Sequence, residues 1–147
     1  MSPWFGTPSL EALQRMQRDT LATHLGIELT EIGADYLRGT MPVDSRTRQP
    51  MGLLHGGASV VLAESLGSIA AIASIDGERQ SCVGQEINAN HLRAVRSGLV
   101  TGTARPVHVG RRSQVWSIEI ADEANRLVCV SRITLAVLDR PMPKFDP

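Results

Sequence analysis

Residues 52–75 form a run of 24 positions with a single formally charged side chain, Glu64. No other feature of the chain restricts its fold as strongly. The run is rich in Gly, Ala and Ser, includes His55 and lies among strand-like segments, so it does not read as a membrane span. A helix over 58–74 shows small or apolar residues on every face, and such a helix has to be covered on most of its surface. Strands supply the cover. Two short ones are expected at 27–32 and 36–43, with Gly33-Ala34-Asp35 as the turn between them. Four long ones follow at 81–95, 99–108, 114–122 and 127–138, where Trp116, Ile118 and Ile120 alternate with polar neighbours in the third. A leading helix starts after Ser9 and carries Leu10, Leu13, Met16 and Leu21 up to about Gly26. The expected class is α+β: a curved antiparallel meander wrapped around the central apolar helix.

Length assigns residues 1–138 to one domain, and residues 139–147, with three prolines, to a loose tail. Fifteen basic residues balance fifteen acidic ones and aromatics are only 3%, which argues against nucleic acid as a partner. No membrane partner is expected either. Cys82 and Cys129 fall in apolar alternating stretches and read as buried free thiols of a reducing compartment. The opening MSPWFGTPSLEALQ has neither a basic start nor an apolar core, so no signal peptide is expected and the protein is placed in the cytoplasm.

Burying a lone carboxylate costs roughly several kcal/mol, and no Lys or Arg lies within two helical turns of Glu64 to offset it. Such a group is a candidate base or nucleophile. Ahead of it, His55-Gly56-Gly57 stands where the helix begins. Unsatisfied N–H groups and the partial positive charge of a helix start suit a carbonyl gaining negative charge. Gly56 and Glu64 lie about 12 Å apart along a helix, at roughly 1.5 Å per residue. One side chain does not close that gap onto a single bond. The simplest arrangement is a two-fold dimer in which Glu64 comes from the partner.

These residues carry a resemblance. The segments SRTRQPMGLLHGGASVVLAESLGS (45–68), VGQEINANHLRA (83–94) and VHVGRRSQVW (107–116) resemble the hotdog-fold acyl-CoA thioesterases over residues 8–138. Within that family they are similar to the group of 1,4-dihydroxy-2-naphthoyl-CoA hydrolases, enterobactin-pathway proofreading thioesterases and Arthrobacter-type 4-hydroxybenzoyl-CoA thioesterases. The resemblance implies a hotdog fold and hydrolysis of an acyl- or aryl-CoA thioester to free acid and CoA. It makes Glu64 the catalytic carboxylate, as nucleophile or as general base, and gives Gly56 the N–H that polarises the carbonyl. His55 and Gln49 would orient substrate or water, and Ser68 would line the site. Coenzyme A would be held by Gly84, by His91, Leu92, Arg93 and Ala94, and by His108, Val109, Gly110, Arg111, Arg112 and Ser113. It also implies a homodimer paired into a tetramer, an acyl-CoA as the small-molecule partner, and no cofactor beyond the coenzyme A of the substrate.

Other chemistries fit less well. No HxxxH or HExxH spacing occurs, so no metal is assigned, and no GxSxG elbow marks a serine hydrolase. A hotdog dehydratase or hydratase, or a non-catalytic acyl-CoA sensor, is the competing reading. Charge adds one pointer. Residues 87–118 hold no Asp or Glu, yet contain Arg93, Arg96, Arg105, Arg111 and Arg112 with His91 and His108, a set suited to the phosphates of coenzyme A.

Overall fold

A computed structural model describes residues 1–143 of the chain. Of the tail expected to be loose, residues 144–147 lie outside them. Ser9 starts α1 (Leu10–Met16), its Oγ accepting the Ala12 N–H at 3.3 Å. The single leading helix expected to continue toward Gly26 is in fact two. Asp19 takes the left-handed φ of 57°, and α2 (Leu21–His24) restarts after Thr20, whose N–H donates to Thr23 Oγ1 at 3.3 Å. An Asp that tolerates this φ, followed by a Thr in capping position, offers the backbone a better local partner than helix continuation.

Strands β1 (Glu28–Ile32) and β2 (Leu37–Pro42) lead into α3 (Gly56–Ala73), followed by β3 (Ser81–His91), β4 (Leu99–Val109), β5 (Ser113–Ala121) and β6 (Leu127–Leu138). All six strands pair antiparallel in one sheet, in the order β1-β2-β4-β5-β6-β3. The expected meander therefore holds only for β4, β5 and β6. β3 follows α3 across the sheet and emerges at the far edge beside β6, which leaves β2 to pair with β4. β3 also ends at His91, short of the expected Val95, because the Leu92 and Arg93 N–H groups both turn to the Val128 carbonyl.

Helix α3 packs against β2, β3, β4, β5 and β6. By length and mean hydropathy it is the one described helix able to cross a bilayer, but half of it is buried in this sheet. One close approach is at Leu66, which is fully buried between Gly39 of β2 and Gly102 of β4. Those two glycines face each other in register. A Cβ at Gly39 would stand 2.9 Å from one Leu66 methyl, and a Cβ at Gly102 would stand 2.5 Å from the other. Only glycine in both strands makes room for this side chain.

The far end of the helix is fixed by a buried polar chain. Trp116 Nε1 donates to Gln114 Oε1 at 2.8 Å, and Gln114 Nε2 donates to Ser74 Oγ at 2.9 Å. Gln114 and Trp116 are both wholly buried. Gln114→Leu leaves the indole N–H without an acceptor, and the expected loss is about 1–3 kcal/mol of stability for that group. Urea melts read at equal slope check it.

Candidate active site

The loop ahead of α3 is held by backbone hydrogen bonds, not left to its sequence. The His55 N–H donates to Thr47 O at 2.8 Å, the Leu54 N–H to Val95 O at 2.8 Å, and the Gln49 N–H to Leu53 O at 2.8 Å. Gly52 closes the turn in a left-handed conformation, φ 77°, with its N–H on Gln49 O at 2.9 Å. The Gln49 carboxamide is half-buried, and its Oε1 accepts the Met51 N–H. That bond sets the orientation of the amide and leaves the NH₂ as its free donor.

His55 is the N-cap of α3. Its Nδ1 accepts the Gly57 N–H at 2.8 Å, while the Ala58 and Ser59 N–H groups both reach the His55 carbonyl. The imidazole is therefore occupied at one nitrogen by the helix it starts, and only Nε2 is left to face a ligand. The Gly56 N–H alone, of the first four, has no acceptor among the described residues. It is the orphan donor of the helix start.

Around Gly56 the chain forms a cleft of about 330 Å³ lined by Gln49, Leu53, Leu54, Gly56, Ser59, His91, Leu92, Arg93, Ala94 and Val128. Gln49, Gly56 and His91–Ala94 were expected to serve one site, and the cleft joins them. The His91 ring stands directly over Gly56, where a Cβ would come within 2.7 Å of its Nε2. Leu53, Leu54, Ser59 and Val128 were not expected. Leu53 and Leu54 sit in the quoted motif, and Ser59 follows Gly56 by three positions on one helix face. Val128 arrives only through the hydrogen bonds its carbonyl accepts from Leu92 and Arg93.

Glu64 is elsewhere. Two turns further along α3 it is exposed, not buried as the apolar surroundings led one to expect, and it makes no hydrogen bond or ion pair among the described residues. Its carboxylate lies against Gly84 of β3. Gly84, expected with the coenzyme-holding residues, is thus grouped with the carboxylate. Val61, Glu64, Ser65, Ser68 and Ile72 make up a stripe of α3 that the sheet leaves half or fully uncovered. Ser68 stands one turn beyond Glu64 on this stripe.

The basic residues also separate. The hairpin of His108, Val109, Gly110, Arg111, Arg112 and Ser113 lies beside the end of β6, since Ser113 pairs with Ala136 and the Val137 N–H donates to Arg112 O. His91 pairs with Cys129 at the opposite end of β6. The length of that strand lies between the two groups, so one chain does not bring Arg93 and Arg111 together. Arg105 is withdrawn from the set altogether. It pairs with Asp35 at 2.6 Å and lies over the Tyr36 ring, 4.7 Å from its centroid. Of the thiols, Cys82 is pushed up to about 11 by burial, which keeps it protonated and non-nucleophilic at neutral pH. Cys129 is shifted the same way by the same cause.

Comparison with known proteins bears on the fold and the activity. Residues 51–129 match the profile of the thioesterase superfamily. The chain is 56% identical to the 1,4-dihydroxy-2-naphthoyl-CoA hydrolase of Escherichia coli K12, over 92% of this chain and 98% of that protein. It is 53% identical to the proofreading thioesterase EntH of Cronobacter turicensis, again over 92% and 98%. Among solved structures it superposes on a thioesterase from Pseudomonas aeruginosa with a TM-score of 0.91 at 49% identity, covering 93% of this chain and 99% of that one. An apolar helix in the grasp of an antiparallel sheet, a family profile matched along the helix and the strands after it, and similar proteins named as thioesterases agree on one assignment: the chain is a thioester hydrolase of the hotdog-fold thioesterase superfamily.

Proposed function

We propose that the protein hydrolyses an aryl- or acyl-CoA thioester at a site completed by two protomers. The Gly56 N–H of one protomer polarises the carbonyl and Glu64 of the other delivers the attack. The observation that carries this reading is the unpaired Gly56 N–H in the cleft, about 12 Å along the helix from an unpaired carboxylate. A two-fold pairing of α3 stripes closes that distance. The long β3 edge supports it: this strand is exposed over most of its length, and an open edge of that kind is ordinarily paired or covered. Assembly of such dimers into tetramers stays part of the proposal.

The chemistry follows from these positions. As the thioester carbonyl is attacked its oxygen gains charge, and a preorganised N–H at a helix start stabilises that charge by about 3 kcal/mol. Glu64 either removes a proton from the attacking water or attacks the carbonyl itself. In the second case an anhydride forms, coenzyme A leaves as thiolate, and water then cleaves the anhydride. The free NH₂ of Gln49 and Nε2 of His55 orient the thioester or the water, and Ser68 borders the carboxylate. No metal or further cofactor enters, and coenzyme A belongs to the substrate. The buried free thiols accord with a cytoplasmic setting.

For the acyl group, the apolar part of the cleft (Leu53, Leu54, Leu92, Val128) and the name of the E. coli relative favour an aryl or naphthoyl ring. Release of free thiol, followed with a thiol reagent over naphthoyl-, benzoyl-, hydroxybenzoyl- and aliphatic-CoA esters, tests the reading. The aryl esters are expected to give the highest kcat/KM. Consumption of substrate without thiol release would point instead to a dehydratase or hydratase.

The nucleotide end of coenzyme A is assigned to Arg93 of one protomer and to the hairpin with His108, Arg111 and Arg112 of a neighbouring one, since a single chain holds them apart. A charge-assisted hydrogen bond to phosphate is worth enough that Arg93→Ala raises KM for CoA esters about tenfold or more. A truncated pantetheine thioester, which lacks the phosphates, is expected to show no change. Equal losses on both substrates would remove Arg93 from phosphate binding.

A further inference from the structure

The carboxylate on which this proposal turns rests against a residue with no side chain, and an irregularity of β3 puts that residue there. His91, Ala89 and Ile87 of β3 pair with Cys129, Ser131 and Ile133 of β6, whose side chains are buried toward α3. Strict alternation along β3 would next turn Gln85 toward the helix. Instead the register shifts between Gly84 and Glu86, and Gly84 pairs with the inward-facing Leu135. The bulge thus exchanges a glutamine for a glycine beneath Glu64. A Cβ on Gly84 would stand 3.1 Å from Glu64 Oε1, and its next neighbour, Ile133 Cδ1, is 3.9 Å away.

We infer that Gly84 is a positioning residue for Glu64: the bulge and the missing side chain let the carboxylate lie against β3, at the place from which it acts. The inference rests on the reading of Glu64 given above. Glu64 makes no hydrogen bond or ion pair among the described residues, so contact with the strand is what limits its position within the chain. A methyl group at residue 84 meets nothing rigid at close range. It displaces the carboxylate and leaves the fold intact.

The test is steady-state kinetics of Gly84→Ala with its thermal melt. Misplacement of a reacting group by a fraction of an ångström is expected to lower kcat about tenfold, and the bulkier Gly84→Val about a hundredfold. KM stays within about twofold and the melting midpoint of Gly84→Ala stays at the wild-type value. Glu64→Asp supplies a second readout. Its carboxylate is one methylene shorter and does not reach the added methyl, so adding Gly84→Ala to Glu64→Asp is expected to cost nothing further. Unchanged kcat in Gly84→Ala, a loss expressed in KM, multiplied losses in the double variant, or loss of the cooperative melt would each overturn the inference. Glu64→Gln measured alongside separates the two readings. If it keeps wild-type kcat, both the role of Glu64 and that of Gly84 fall. If it is inactive while Gly84→Ala is unaffected, only the positioning role falls.

Discussion

Glu64→Gln is expected to lower kcat about 10³-fold while KM stays within a few-fold, because the substitution removes a charge needed to make or become the nucleophile and leaves the binding surface unchanged. The variant should fold as the wild type does. Glu64 is exposed in the chain and holds no partner that its loss would orphan, so the melting temperature is expected to stay put. That separation of activity from stability is the value of the experiment. A buried, paired carboxylate would have confounded the two. A Glu64→Gln variant with near wild-type turnover would remove the carboxylate from the chemistry. Single-turnover hydrolysis in ¹⁸O-labelled water then distinguishes the two routes. Direct attack by Glu64, with water then cleaving the anhydride at the Glu64 carbonyl, leaves the first product free of label and puts it into the side chain; a general base puts it into the first product and never into the side chain.

The second large effect is a recovery. Gly56→Ala places a methyl group 2.7 Å from His91 Nε2, inside the cleft and beside the orphan N–H. Its kcat/KM is expected to fall about a hundredfold from the disturbance of that donor alone. Glu64→Gln and Gly56→Ala are then each nearly inactive as pure homodimers. Mixed and allowed to exchange, half of the dimers become hybrids with one intact site out of two, so about a quarter of wild-type activity should return. Activity that stays at the level of the two parents after exchange, with hybrid formation verified by mass spectrometry, would place Gly56 and Glu64 in the same site of one chain. The about 12 Å between them would then need a different explanation.

What could be read from residues alone follows the range of the interactions involved. The limits of α3 were legible because local chemistry sets them: apolar and small residues fill the helix, and His55 caps its first turn. The four long strands were legible from alternation, which is also local. Gly56 and Glu64 came from one contiguous motif. The break of the leading helix at Asp19 and Thr20 is a local miss, and the other errors sit where contacts join distant parts of the chain. β3 was placed inside a meander because nothing in its own residues says that it pairs with β6. Arg105 was counted with the phosphate-binding cations because its partners, Asp35 and Tyr36, belong to the β1–β2 turn about seventy positions away. Glu64 was expected to be buried because its sequence neighbours are apolar, yet it stands on a stripe of α3 that the sheet leaves largely uncovered, with only Gly84 of β3 against its carboxylate. Gly84 resembled a coenzyme contact, and only the bulge in β3 turns it toward the carboxylate.

Leu66, seated between Gly39 and Gly102, has a consequence for how such an enzyme diversifies. The helix cannot slide or roll over the sheet without driving a methyl group into backbone, so the spacing from Gly56 to Glu64 is inherited as a fixed axle. Met51, Leu53 and Leu54 belong to a loop anchored by its own backbone bonds to Thr47 and Val95, and Met51 is largely exposed. Substitutions in that loop reshape the mouth of the cleft without transmitting force to the axle. Single substitutions in the loop are therefore expected to change acyl preference while the spacing from Gly56 to Glu64 stays as it is.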